Sequence, residues 1–309
     1  MGGAGKDNGW AILETKDGGF SILGFTNSFG AGAMDMYLIQ TDAEGNLLWE
    51  RTFGGPKSEY GWAMAPTPDG GYVLAGQTNS FGQGDKDGYL IKVNADGEEI
   101  WNQTFGGPKE DRLYSIDQGA DNGFILVGTT TSFGAGNRNA YLVKTNDSGE
   151  LAWTQVFGED QDDVGHSVRQ TTDGGYIVTG YTGSFGAKNY DTWLIKTDKA
   201  GALQWQKLYG EERDDRTIYG EQTDDGGYIL VGYTRGFEAA GWDVFLVRTN
   251  LSGELIWHRT FGGNADDTGY TVRQASDKGF VLTGETYSFG EGGGDMYVIK
   301  VNQCGEIIK

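Results

Sequence analysis

Apolar residues along the chain fall into short runs of five to eight, each closed by glycine, aspartate or asparagine, and no 3.6-residue period of useful length appears. In the second copy of a recurring unit these runs predict strands over 62–66, 71–78, 88–94 and 99–105. Asp69-Gly70-Gly71 supplies residues that tolerate positive φ, as a tight hairpin demands, and Asn94-Ala95-Asp96-Gly97 does the same between the third and fourth strands. Tyr, Val, Ile, Leu and Trp occupy both alternating faces of the strands. Each small sheet should therefore be covered on both sides.

The unit repeats. Its aspartate turn recurs at Asp17, Asp69, Asp121, Asp173, Asp225 and Asp277, every 52 residues without an insertion. A fixed period of this size with four strands per unit predicts an all-β fold, a six-bladed β-propeller of antiparallel sheets forming one domain over 1–309. Met1-Gly2-Gly3 stands in the phase of Phe53-Gly54-Gly55, the end of a fourth strand, and 305–309 stands in the phase of Gly253–Trp257, the start of one. The two termini are thus expected to share the sixth blade's outer strand and close the ring.

The elements Phe105-Gly106-Gly107, Gly76-x-Thr78 and Asp87-x-Tyr89-Leu90-Ile91-Lys92, with their counterparts, make the chain resemble SBBP-type β-propeller repeats of bacterial and archaeal surface proteins. That resemblance covers essentially the whole chain and implies an extracellular or cell-surface setting. Asp42-x-x-Gly45-x-x-x-Trp49 also looks like the tryptophan-docking turn of quinoprotein propellers, with Trp101, Trp153, Trp205 and Trp257 at the same phase. Burial of such an indole between blades should contribute about 2–3 kcal/mol. The ligands of a quinone cofactor are not recognisable, and no cofactor is expected apart from calcium.

Composition narrows the partners. A formal net charge of −20 repels nucleic acid and anionic lipid. No apolar run reaches the length of a membrane span, and Cys304 is the one cysteine, so there is no intrachain disulfide. MGGAGKDNGW lacks a basic-then-apolar leader, which fits either a cytoplasmic chain or one trimmed from a larger surface protein. A monomer is expected. No Ser-His-Asp order, HExxH or P-loop occurs, and no catalytic residue is assigned.

Acidic residues recur at two positions, Asp7, Glu59, Asp111, Asp163, Asp215 and Asp267, and Asp35, Asp87, Asn139, Asp191, Asp243 and Asp295. Both series are read as loop residues on one side of the ring. Asp7, Asp35, Asp163 and Asp191 are candidate calcium ligands, although such carboxylates more commonly accept backbone N–H bonds and hold loops in shape.

Comparison among the copies separates a constant rim from a variable one. The first inner-strand position reads Trp10, Trp62, Tyr114, His166, Ile218 and Tyr270. The end of the second strand reads Phe25, Gln77, Thr129, Tyr181, Tyr233 and Glu285, then Asn27, Asn79, Thr131, Gly183, Arg235 and Tyr287. The loop beyond it reads Met34, Lys86, Arg138, Tyr190, Trp242 and Gly294. Of nine tryptophans, Trp10, Trp62 and Trp242 fall on this rim. Trp10, Trp62, Tyr114, His166, Tyr190, Arg235, Trp242 and Tyr270 are the candidate ligand-binding residues. The alternative is that the inner-strand aromatics plug the channel and the loop residues have drifted.

Two functions follow as expectations. The first is noncatalytic recognition, adhesion or scaffolding, with a glycan or protein bound on the variable rim by aromatic stacking and hydrogen bonds. The second is a carbohydrate hydrolase or lyase with its site in the central funnel, by analogy of fold.

Overall fold

The computed structural model describes residues 1–186 and 189–308. Its strands form six sheets, five of four strands and one of three, each built from consecutive antiparallel strands. The second sheet comprises Glu59–Pro66, Tyr72–Thr78, Asp87–Val93 and Glu99–Phe105. These match the expected strands to within one residue, except that the first begins three residues earlier, at the acidic position. Glu59 is already paired with Thr78 across the sheet. Among the described residues no helix is long and apolar enough to cross a membrane.

The chain divides into two compact units, Met1–Phe157 and the remainder from Gly158, and each carries three sheets. In the first unit both faces of the middle strands are closed. Val73 and Leu74, on opposite faces of one strand, are both fully buried. Leu74 packs with Leu23, Leu38 and Ile91, while Val73 packs with Leu113, Leu126 and Val143. The second unit repeats this layering with Val231, Leu246, Val272 and Leu282. Full burial of each such side chain contributes about 2 kcal/mol.

A β-bulge interrupts the first strand of every sheet. Its register shifts between Gly9 and Ala11, Gly61 and Ala63, Leu113 and Ser115, Gly165 and Ser167, Thr217 and Tyr219, and Gly269 and Thr271. The bulge pushes the first-strand carbonyl against the facing glycine of the second strand. A Cβ at Gly76 would collide with the Tyr60 carbonyl, and one at Gly232 with that of Arg216. The glycine of the Gly-x-Thr element is thus set by the bulge opposite it.

The docking tryptophans sit on turns. Trp49 covers Gly97, Trp101 covers Gly149, Trp205 covers Gly253 and Trp257 covers Gly305; a Cβ on any of these glycines would press into the indole. All four indoles are half-buried rather than enclosed, because their outer faces lie on the edge of the sheet. Arg51 and Arg259 stack on the Trp49 and Trp257 rings at 5.4 and 5.5 Å.

The sixth sheet holds Asp267–Gln274, Phe280–Thr286 and Asp295–Val301. Its fourth position is begun by the C-terminal segment, where Ile307 bridges Val301 and the Ile308 N–H donates to Lys300 O at 3.0 Å. Lys309 lies outside the described residues, and Met1–Gly3 adopt no strand.

Gly76→Ala is expected to cost about 3 kcal/mol, because the added methyl displaces a strand rather than a flexible side chain. A lowered urea midpoint at unchanged m-value checks this.

Candidate recognition site

The bulge decides where the variable side chains go. Trp10, Trp62, Tyr114, His166, Ile218 and Tyr270 are the residues left unpaired between the shifted registers, so each is turned out of the ladder. Trp10 and Tyr270 are exposed at 57% and 47%, whereas Trp62, Tyr114 and His166 are half-buried.

In the first unit the aromatics meet one another. Trp62 contacts Trp10 edge-on at 5.1 Å, stacks on Tyr60 at 5.7 Å and lies against Phe25 at 5.8 Å. Its indole nitrogen is buried with no hydrogen-bond partner among the described residues. Tyr114 stands apart from this group, its hydroxyl 3.5 Å from Thr129 Oγ1.

The second unit carries a longer array. The Arg216 guanidinium lies over Tyr190 at 4.5 Å, Tyr181 at 4.9 Å and Trp242 at 5.6 Å. Trp242 takes Arg235 on its ring at 4.3 Å and meets Tyr233 edge-on at 4.8 Å. Tyr181 in turn touches Tyr190 at 5.1 Å and His166 at 5.6 Å. Asp214 holds one guanidinium nitrogen of Arg216 at 3.2 Å, and Arg216 Nε is buried without a hydrogen-bond partner among the described residues. Burial, followed by the Arg216 charge, pulls the His166 pKa down to about 4, so the imidazole is neutral near pH 7.

Four expected residues, His166, Tyr190, Arg235 and Trp242, are therefore brought together, and Arg216 is the group that joins them. Sequence reading passed over Arg216. Its column reads Asn8, Tyr60, Arg112, Val164, Arg216 and Thr268, varying as freely as the columns that were singled out. Tyr270 belongs elsewhere, donating to Glu285 at 3.0 Å.

The acidic series are not loop residues. They open the first and third strands, and their burial follows from that placement. In all six copies the first-strand acid accepts the N–H of the residue four before it, at 2.8–2.9 Å. The two series also approach in pairs: a Cβ on Gly54, Gly106, Gly210 or Gly262 would strike carboxylates from both. Burial, with the charge of Asp111 as a lesser cause, raises the Asp87 pKa; burial and then Asp267 raise that of Asp243. Asp7 and Asp163 each accept from a threonine and a serine hydroxyl, and Asp35 from the Gly32 N–H at 3.0 Å. Among the described residues no three His, Cys, Asp or Glu side chains gather as a cation site.

One loop departs from the pattern. Ser28, Ser80, Ser132, Ser184 and Ser288 follow the second strand of their sheets, and position 236 is glycine. Asp215 keeps its bonds from Thr234 and the Glu211 N–H but has no serine hydroxyl. Burial raises its pKa to about 6; these two donors oppose the rise, and Asp191 and Glu211 add to it. A cavity of about 830 Å³ is lined by Gly236 and its loop, with Asp191 and Glu211.

Comparisons with known proteins bear on the fold. No family model matches the chain. It is 24% identical to Regulatory protein FlaEY of Caulobacter vibrioides over 88% of its own length, but spans 35% of that protein. Crystal structures of puromycin hydrolase and of the β-propeller domain of the trilobed protease from Pyrococcus furiosus superpose with TM-scores of 0.56 and 0.51. Each match covers 98% of this chain, at 15% and 11% identity, and 45% and 81% of the respective structures. The fold is a six-bladed β-propeller. At these identities the likeness extends to architecture alone.

Gly236→Ser is expected to return a donor to Asp215 and lower its pKa by about a unit or more, read by carboxyl NMR titration. The folded pKa near 6 exceeds the unfolded value near 4, so the native state binds the extra proton between them. Stability is expected to fall as pH rises from about 4 through 6, and this slope should shrink in the variant. EDTA and calcium are both expected to leave Tm unchanged, because Asp7, Asp35 and Asp163 already accept hydrogen bonds from protein donors.

Proposed function

We propose that this chain is a noncatalytic recognition or adhesion propeller that binds a glycan or protein ligand at the variable ends of its sheets. The observation that carries this reading is the Arg216 array. A guanidinium is held among three aromatic rings, with a second arginine stacked on the outer ring, at positions where the repeated framework dictates neither residue. Each cation–π contact contributes about 0.5–2 kcal/mol, the more so as water is excluded. The array therefore presents rigid aromatic faces and a guanidinium with little entropy left to lose on binding. The resemblance to SBBP-type repeats supports placing the protein at the cell surface, as a monomeric module.

The hydrolase or lyase reading asks for an acid poised by its surroundings. Asp215 has a suitable pKa, yet its oxygens are engaged by Thr234 and the Glu211 N–H, which supports a framework role for it. Recognition is the reading that uses the arginine and the aromatics together.

Glycan and peptide array screening followed by titration tests it. Arg216→Ala and Trp242→Ala are each expected to weaken the best ligand by about tenfold, or 1.4 kcal/mol. Arg216→Lys should also weaken it, since an ammonium keeps the charge but loses the planar stack. Unchanged affinity in all three would remove the array from the site.

A further inference from the structure

The loop that lacks the serine borders an open cavity, and its lining is chemically specific. In the other five repeats the serine hydroxyl accepts an N–H from the preceding loop, at 2.9–3.0 Å, from Gly5, Lys57, Lys109, Gln161 and Ala265. In four of them it also donates to the strand-opening acid, at 2.6–2.9 Å. That hydroxyl seals the space between the two loops. Gly236 removes it, although a Cβ would fit there, 3.2 Å from Thr234 Oγ1 and 3.5 Å from Asp215 Oδ1.

A second exchange accompanies the first. Phe81, Phe133, Phe185 and Phe289 give their N–H to the threonine at the end of the second strand. Phe237 instead donates to Glu211 Oε2 at 3.0 Å, and the backbone turns left-handed at Phe237 and Glu238, with φ of 52° and 65°. An open cavity of about 830 Å³ lies beside this loop, lined by Asp191, Glu211, Glu212, Arg213, Arg235, Phe237 and Glu238. Of these, Glu211, Glu212, Arg213, Arg235 and Glu238 form no ion pair with another described residue.

Resting on the recognition reading, we infer that this cavity is a pocket for a neutral saccharide, one or two pyranose units of a glycan. Four carboxylates, those of Asp191, Glu211, Glu212 and Glu238, line it as acceptors and two guanidiniums as donors. Vicinal hydroxyls of a sugar satisfy both kinds at once, since each is donor and acceptor. A cation there meets Arg213 and Arg235, and an anion meets the four carboxylates, so each leaves like charges facing it. The Phe237 ring, stacked on Phe245 at 5.2 Å and lying against His258 at 4.4 Å, forms an apolar wall of the cavity. The volume lies within the range of small-molecule pockets, about 300–1,000 Å³. A protein ligand is the competing occupant of the rim and becomes an outcome of the test.

Amide NMR titration of the whole chain with methyl glucoside, methyl galactoside, methyl mannoside, N-acetylglucosamine and cellobiose provides that test. Agmatine and glucuronate serve as charged probes. At least one neutral sugar should shift the Arg213, Gly236 and Phe237 amides saturably, with millimolar affinity. Gly236→Ser, which refills the space, and Glu238→Gln, which removes an acceptor without adding bulk, should each weaken that binding by about tenfold or more. Equal binding to both variants, shifts produced by agmatine or glucuronate alone, or no shift with any probe would each overturn the pocket. The rim reading is scored separately, on array ligands with Arg216→Ala and Trp242→Ala. Loss of the pocket with those effects intact removes the saccharide inference alone, and a peptide as the array ligand would then name the occupant.

Discussion

Every repeat is organised around a carboxylate at the head of its first strand, buried in five of the six. In each of the six copies that carboxylate accepts a backbone N–H from the loop before it. In five it also receives the threonine hydroxyl of the Gly-x-Thr element. Burying an ionised group is expensive unless its lone pairs are filled. The acid therefore pins three separate chain segments, the entering loop, the end of the second strand and the loop beyond it. The faithfulness of the repeat at Phe-Gly-Gly and Gly-x-Thr is a consequence, because those are the segments that must reach the acid or leave room for it.

The same network explains where the copies are free to differ. Side chains that donate to the acid, and glycines that a Cβ would drive into it or into a facing carbonyl, carry the constraint. The bulge residue and its neighbours across the sheet point out of that network. They can be Trp, Tyr, His or Ile in one column and Phe, Gln, Thr, Tyr or Glu in the next without loosening the blade. Framework and recognition surface are thus interleaved along one strand, two or three residues apart.

Much of the architecture was legible in the residues because it depends on local chemistry: Asp-Gly turns, doubly apolar strands, and a tryptophan paired in phase with a glycine turn. What stayed hidden depends on register and burial. A bulge leaves no mark in a single strand, since it is a relation between two, and so the outward aim of Trp10, Trp62 and His166 was visible only as variation. The strand-opening acids read as loop residues because carboxylates are seldom buried, and their donors come from segments some 20 residues away, as Ser28 to Asp7 shows. Arg216 escaped notice for a related reason. An arginine in a strand reads as a solvated charge until the rings of Tyr181, Tyr190 and Trp242 are seen to enclose it.

Neutral drift predicts that departures from the consensus scatter over the repeats. In the fifth repeat they converge. Gly236 for serine, the left-handed φ at Phe237, and Glu238 where Gly30, Gly82, Gly134, Gly186 and Gly290 take the left-handed turn all act on one loop, beside Glu211, a position that Glu159 also fills. Arg235 from that loop stacks on Trp242, which also shares the Arg216 guanidinium. Losing the serine leaves Asp215 with a pKa near 6, a penalty on the framework near neutral pH. Restoring the hydroxyl takes a single side chain at a position with room for it. A stability cost kept where its repair is that simple is better explained by what the opened loop binds than by tolerance.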